Sequence, residues 1–223
     1  MKRRVIVNFH GLGVPERPTE RGEAPYWVAP ELLAETLILA ERFKNTVETW
    51  LTFDDGNASD LAIAADLLAR HGRKARFFVL AGRLGQPGSL SPEDLRELVA
   101  AGHHVETHGF DHVDWTKLDE AGQHREWHDA REVISEALGA PVSEAGIPFG
   151  SYDRKVISGL RRAGYRQVYS SDGGRCGPES FLLPRTSARA DMDSRAIEAI
   201  LLGREGLRRR LRRRLAMAVK KRL

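Results

Sequence analysis

Trp50-Leu51-Thr52-Phe53-Asp54-Asp55-Gly56 decides how this chain is read. An apolar run of strand character ends abruptly in two adjacent carboxylates and a glycine. Neighbouring acids repel each other, and their side chains cannot both face a core. Two readings follow. A metal ion takes one carboxylate and leaves the other to act as a base, or the stretch is an acidic N-cap for the helix that comes next, with Asp55 or Asn57 capping.

Outward from this stretch, short apolar runs alternate with segments of 3.6-residue periodicity, the pattern of repeated strand–helix units. Strands are expected over 5–9, 50–53, 75–80, 104–108, 144–147, 167–170 and 181–184, and helices over 30–43, 59–70, 91–101, 119–138, 153–163 and 194–202. Ser91-Pro92-Glu93-Asp94 is a helix start, with serine as N-cap and proline at the first position. Seven strands alternating with helices in one domain predict an α/β fold, best accommodated by a barrel of parallel strands. An open doubly wound sheet is the alternative.

Composition narrows the class. The chain has 223 residues, 30% of them charged, and a single cysteine, Cys176, which excludes an internal disulfide framework. No apolar run reaches the ~18 residues of a spanning helix. The opening charges are followed by an apolar run too short for an export signal, so the expected location is cytoplasmic. The net charge of +4 conceals an asymmetry: residues 203–223 hold ten Lys/Arg and one acid, a net of +9, which leaves −5 on the rest. Leu207, Leu211, Leu215 and Val219 recur every four residues among these cations. A barrel domain over 1–202 followed by a basic amphipathic helix over 203–223 is therefore expected. That helix either contacts an anionic membrane, placing the protein peripherally at the inner face, or packs its Leu/Val stripe on the barrel. The acidic body argues against nucleic acid as a partner.

Two further strand ends carry chemistry. After the strand over 104–108 comes His108-Gly109-Phe110-Asp111-His112, two imidazoles spaced to converge on one metal. His124 and His128 have the same spacing but sit mid-helix among charges, where a solvated face is expected. After the strand over 144–147 comes Ile147-Pro148-Phe149-Gly150-Ser151-Tyr152-Asp153, a turn whose backbone N–H groups can serve an oxyanion beside a metal.

In this order and spacing, Thr52-Phe53-Asp54-Asp55-Gly56, His108-x-x-x-His112 and Ile147-Pro148-Phe149-Gly150 resemble the motifs of the carbohydrate esterase family 4 polysaccharide deacetylases, the NodB-homology domain. The resemblance runs from residue 50 to residue 185. It implies a deformed (β/α)7-type barrel and a divalent metal, usually zinc, held by Asp55, His108 and His112. It further implies Asp54 as general base, and Phe149 with Pro148 and Gly150 at the oxyanion and substrate side. The implied reaction is removal of N-acetyl groups from an amino-sugar polysaccharide or a lipid-linked glycan precursor.

Two positions depart from the family pattern. The arginine that orients the base carboxylate is replaced by Gly146, and no histidine follows His128 to supply the acid. Asn8-Phe9-His10-Gly11, ending the first strand, is similar to the acid-bearing strand of a circularly permuted branch that deacetylates poly-N-acetylglucosamine, which makes His10 the acid. Two alternatives stand beside this reading: an amidase or deformylase acting on a non-sugar or lipid-linked amide, and an inactive carbohydrate-binding domain.

Overall fold

The computed structural model describes residues 3–177, 179–204, 217 and 220. Its strands are β1 (Arg3–Phe9), β2 (Gly11–Leu12), β3 (Trp27–Val28), β4 (Val47–Asp55), β5 (Arg76–Val79), β6 (His104–Thr107), β7 (Glu144–Gly146), β8 (Gln167–Ser170), β9 (Arg175–Cys176), β10 (Leu182–Pro184) and β11 (Thr186–Ser187). The helices are α1 (Pro30–Arg42), α2 (Asp66–Arg70), α3 (Pro92–Ala100), α4 (Glu120–His124), α5 (Ala130–Leu138), α6 (Arg154–Arg162) and α7 (Ser194–Leu202).

The main sheet runs β10-β8-β7-β6-β5-β4-β1-β11, all neighbours parallel. Its two ends belong to one short segment. Leu182, Leu183 and Pro184 pair with Val168, Tyr169 and Ser170, then Thr186 and Ser187 pair with Val7 and Asn8. The chain therefore crosses from β8 to β1 within six residues and nearly closes the sheet into a barrel. This matches the expected (β/α) barrel. The open-sheet alternative does not hold, because the first and last strands are joined.

Strand β1 is apolar at Val5, Ile6, Val7 and Phe9 because both its faces are buried there, as parallel barrel strands require. Val5, Val7 and Phe9 pack outward with Leu33 and Leu37 of α1, while Ile6 lies inside with Phe78, Tyr169 and Leu183. The helix start at Ser91 acts as expected. Ser91 and Asp94 form a reciprocal capping box on α3, and Asp153 and Asp193 cap α6 and α7.

Two expectations change, and a third lies outside the described residues. The helix over 59–70 begins with a π-helical turn, Asp60–Ala65, and Ser59 at its N-cap makes no side-chain cap bond. The capping reading of the Asp54-Asp55 pair thus fails. The helix over 119–138 contains a π-helical turn, Arg125–Asp129. It turns Glu126 and Trp127 inward, while the His124 side chain stays 69% exposed. Finally, the amphipathic helix expected over 203–223 lies outside the described residues except at Gly203, Arg204, Met217 and Lys220, and the membrane contact rests on that same segment. Lys220 donates to the Gly150 carbonyl at 2.9 Å and pairs with Asp172 at 3.0 Å. Among the described residues, no helix is long and apolar enough to cross a membrane.

Candidate active site

A cavity of about 280 Å³ opens at the carboxyl ends of the strands, lined by His10, Asp54, Asp55, His108, His112 and Phe149 among others. Barrel active sites form at this end because the strand-to-helix loops can vary there without disturbing the core. A larger cavity of about 410 Å³ sits around Lys44, Trp50, Arg73, Arg76 and His104, at the starts of the strands. Among the described residues, its lining holds one carboxylate, Glu48, and one imidazole, His104.

Asp55, His108 and His112 present ligand atoms within 4.8 Å of one another. The Nε2 atoms of both imidazoles lie 3.6 Å from Asp55 Oδ1, and that oxygen is buried without a hydrogen-bond partner. Each Nδ1 is already occupied: His108 pairs with the Gly146 carbonyl at 2.9 Å and His112 with Glu20 at 2.7 Å. Each histidine thus donates from Nδ1 and keeps its Nε2 lone pair for the space beside Asp55. Burial outweighs the pull of Asp54 and Asp55 and lowers the His108 pKa to about 4. The ring is neutral near pH 7, as a metal ligand must be. The donor set therefore fits a divalent cation, with two nitrogens and one oxygen from the protein and positions left open.

Backbone conformation marks the same place. Among the described residues, three non-glycines have positive φ: Asp55 at 77°, His112 at 55° and Phe149 at 58°. All three line this pocket. Such conformations cost about 1–3 kcal/mol each and persist where the surroundings over-determine them. The Phe149 and His112 rings stand 4.4 Å apart. Pro148 and Gly150 are buried on either side of Phe149.

Asp54 has a different neighbourhood. Arg185 grips its carboxylate with both ends of the guanidinium, at 2.6 and 2.8 Å, and the Asn8 amide donates at 2.9 Å. Thr52 and Arg185 in turn hold the Asn8 oxygen. Burial alone would raise the Asp54 pKa, but Arg185, His108 and His10 overcome it and hold the carboxyl well below the usual carboxylate range. The His10 Nε2 lies 3.9 Å from Asp54, and its ring stands 4.8 Å from that of Tyr26.

Arg185 resolves the first departure from the family pattern. A side chain at position 146 has no room, since a Cβ there would sit 2.9 Å from His108 Nδ1 and 3.0 Å from the Phe78 ring. The guanidinium arrives instead from the turn between β10 and β11. The sequence reading missed it, although an arginine directly after a predicted strand at the pocket end of the barrel was a usable signal.

It also missed Glu20, Asn8, Glu126 and Asp60. Glu126 accepts from the Phe110 and Asp111 amides and from Trp115 Nε1, at 2.9, 2.8 and 3.1 Å, and so ties down the loop that carries His112. Gly109 is required there: its φ is +90°, and a Cβ would meet Glu126 Oε2 at 2.3 Å. Asp60 is buried with neither oxygen hydrogen-bonded among the described residues. Burial, then Asp55 and Asp54, push its pKa well up.

Comparison with known proteins gives the family. The family model for polysaccharide deacetylase matches residues 44–168, just over half of the chain. The chain belongs to the polysaccharide deacetylase family. It is 31% identical over 153 residues to the chitooligosaccharide deacetylase of Rhizobium leguminosarum bv. trifolii, covering 68% of this chain and 64% of that protein. The chain spans 55–64% of the length of the first curated relatives it matches. In fold it is similar to the Streptococcus pyogenes deacetylase PplD, with a TM-score of 0.77 at 19% identity, over 89% of this chain and 98% of that one. It is also similar to IcaB from Ammonifex degensii, with a TM-score of 0.72 at 20% identity, over 91% and 98%. Strand β1 with His10, the 13–26 loop with Glu20, and Arg185 all lie outside the matched family segment.

Proposed function

We propose that this polysaccharide deacetylase-family chain is a metal-dependent de-N-acetylase acting on an amino-sugar polysaccharide or a lipid-linked glycan precursor. The observation that carries the reading is the convergence of Asp55, His108 and His112 beside a base carboxylate already clamped by Arg185. Bound by those three ligands, a divalent cation such as zinc would acidify water and polarise the acyl carbonyl.

The chain's own groups supply the remaining steps. Asp54, fixed by Arg185 and Asn8, accepts the proton of the attacking water. Its low pKa makes it a weak base, so the arginine trades basicity for orientation, and the scheme works only on acidified water. The backbone N–H of Phe149, in the left-handed turn lining the pocket, would donate to the oxyanion as the carbonyl carbon becomes tetrahedral. His10, protonated, gives its proton to the amine nitrogen as the C–N bond breaks, releasing acetate and a free amino sugar. An imidazole suits this role because its unperturbed pKa of ~6.5 lets it carry a proton near neutrality.

Acetate release from an N-acetylglucosamine oligomer tests the proposal. Chelation should abolish it and added zinc restore it. Asp54→Asn should cut turnover by about 10²–10⁴-fold with metal content unchanged, and His10→Ala should slow turnover while leaving metal in place. Bound metal with no acetate from any N-acetylated sugar would move the substrate to another amide. A chain that binds no metal would be an inactive relative.

A further inference from the structure

The loop between β2 and β3 is built as a fixed object. Arg17 donates to Asn57 Oδ1 at 3.0 Å and to Glu23 at 3.1 and 2.5 Å. Glu23 also accepts from Trp27 Nε1 at 3.0 Å and from the Glu20 backbone amide at 2.6 Å. Residue 20 is thereby placed by its own N–H. Its carboxylate divides: Oε1 takes the Arg83 guanidinium, and Oε2 takes His112 Nδ1 at 2.7 Å, across 92 residues of sequence.

We propose that Glu20 is a positioning residue for His112, holding the imidazole so that Nε2 faces the cation site. This rests on the metal reading above. An imidazole can ligate through Nε2 in one orientation only if something fixes the ring from Nδ1, and an anionic acceptor both fixes it and makes the ring a stronger donor. The two histidines differ in how much they need this. His108 is fully buried and leans on a neutral backbone carbonyl. His112 sits on a loop in a left-handed conformation, at the pocket mouth, with its side chain 11% exposed. The barrel holds one ligand, and Glu20, braced by Arg83, holds the other. The Asp55, His108 and His112 set thus depends on a loop outside the family's matched segment.

The test is zinc affinity of the full chain, measured by competition with a chromophoric chelator, for the parent and for Glu20→Ala, Glu20→Gln and His112→Ala. The parent should bind one zinc. Glu20→Ala should bind 10–100-fold more weakly, with the thermal midpoint of the metal-free chain unchanged. Glu20→Gln, whose amide oxygen still accepts the Nδ1–H, should recover most of the affinity. In nitrogen NMR of the zinc-loaded parent, His112 should carry its proton on Nδ1, and that resonance should shift in Glu20→Ala. If Glu20→Ala holds zinc as tightly as the parent while His112→Ala loses it, the positioning role is overturned and the metal reading stands. If the parent takes up no zinc, both are overturned.

Discussion

The pocket has two walls of different origin. On one, Asp55, His108 and His112 come from the ends of β4 and β6, inside the family's matched segment, with ligand atoms within 4.8 Å of one another. On the other, Asp54 is surrounded by Asn8 from β1 and Arg185 from the β10–β11 turn, both outside that segment. The first wall is local, built from two compact motifs. The second is assembled by barrel closure, from residues 46 and 131 positions away from Asp54. Asp54 and Asp55 are neighbours in the chain yet belong to different walls, because successive side chains of a strand point to opposite sides and Asp55 then turns into a left-handed conformation.

The comparison breaks most visibly at Arg185. Arg185→Ala leaves a buried carboxylate without its counter-charge, and should cost about 3–5 kcal/mol of stability in denaturant titration, with activity lost. Arg185→Lys keeps the charge but not the two-pronged grip, so it should regain part of the stability and little of the activity. Metal affinity in the lysine variant should stay close to the parent's if the two walls are separable. A parallel loss of metal would show that they act as one unit.

A smaller effect is expected at Gly146, where the walls touch. Gly146→Ala pushes a Cβ to 2.9 Å from His108 Nδ1, whose partner is the Gly146 carbonyl. Overpacking of this kind costs about 1–3 kcal/mol. Metal affinity should fall while Asp54 and Arg185 remain paired. Normal metal binding by Gly146→Ala would mean the His108 ring can move aside freely.

The smallest effect lies away from both walls and serves as a control. His103 is buried, and its Nδ1 accepts the Ala75 amide at 3.2 Å. Burial, then Lys74 and His104, lower its pKa to about 4 from 6.5. The unfolded chain therefore binds the proton more readily, and the stability from this group is complete above pH 6.5 and is lost as pH falls toward 4. His103→Gln, which keeps an acceptor, should flatten the pH dependence of stability in that window by about 1–2 kcal/mol. An unchanged slope would place the acid sensitivity elsewhere, in the carboxylates of the site.

The division between the walls also explains what could be read in the chain. The strands and helices were legible because their apolar periodicity and caps are local: Ser91 with Asp94 is a helix start in any context. The cluster of Asp55, His108 and His112 was legible because each part sits within a few residues of a strand end. Arg185 and Glu20 were not. Nothing in the spacing between residue 20 and residue 112 says that they meet, and nothing at position 146 says that the guanidinium enters from the β10–β11 turn. The solvated face expected of His124 and His128 is correct for His124, whereas Glu126 beside it is turned inward by a π-helical turn that the period of 3.6 conceals.

Arg185 sits where the barrel closes. On one side of it the chain is held by three residue pairs to β8, on the other by two to β1. Native proteins do open in sub-global units before they unfold, and the cost of opening this short seam is set mainly by pulling Arg185 off Asp54. Opening it would withdraw the guanidinium from Asp54 while most of the sheet stayed paired. The seam then behaves as a fuse. Under mild denaturant the proposed deacetylase activity would be lost with circular dichroism almost intact, and it would return as soon as six residues found their register again.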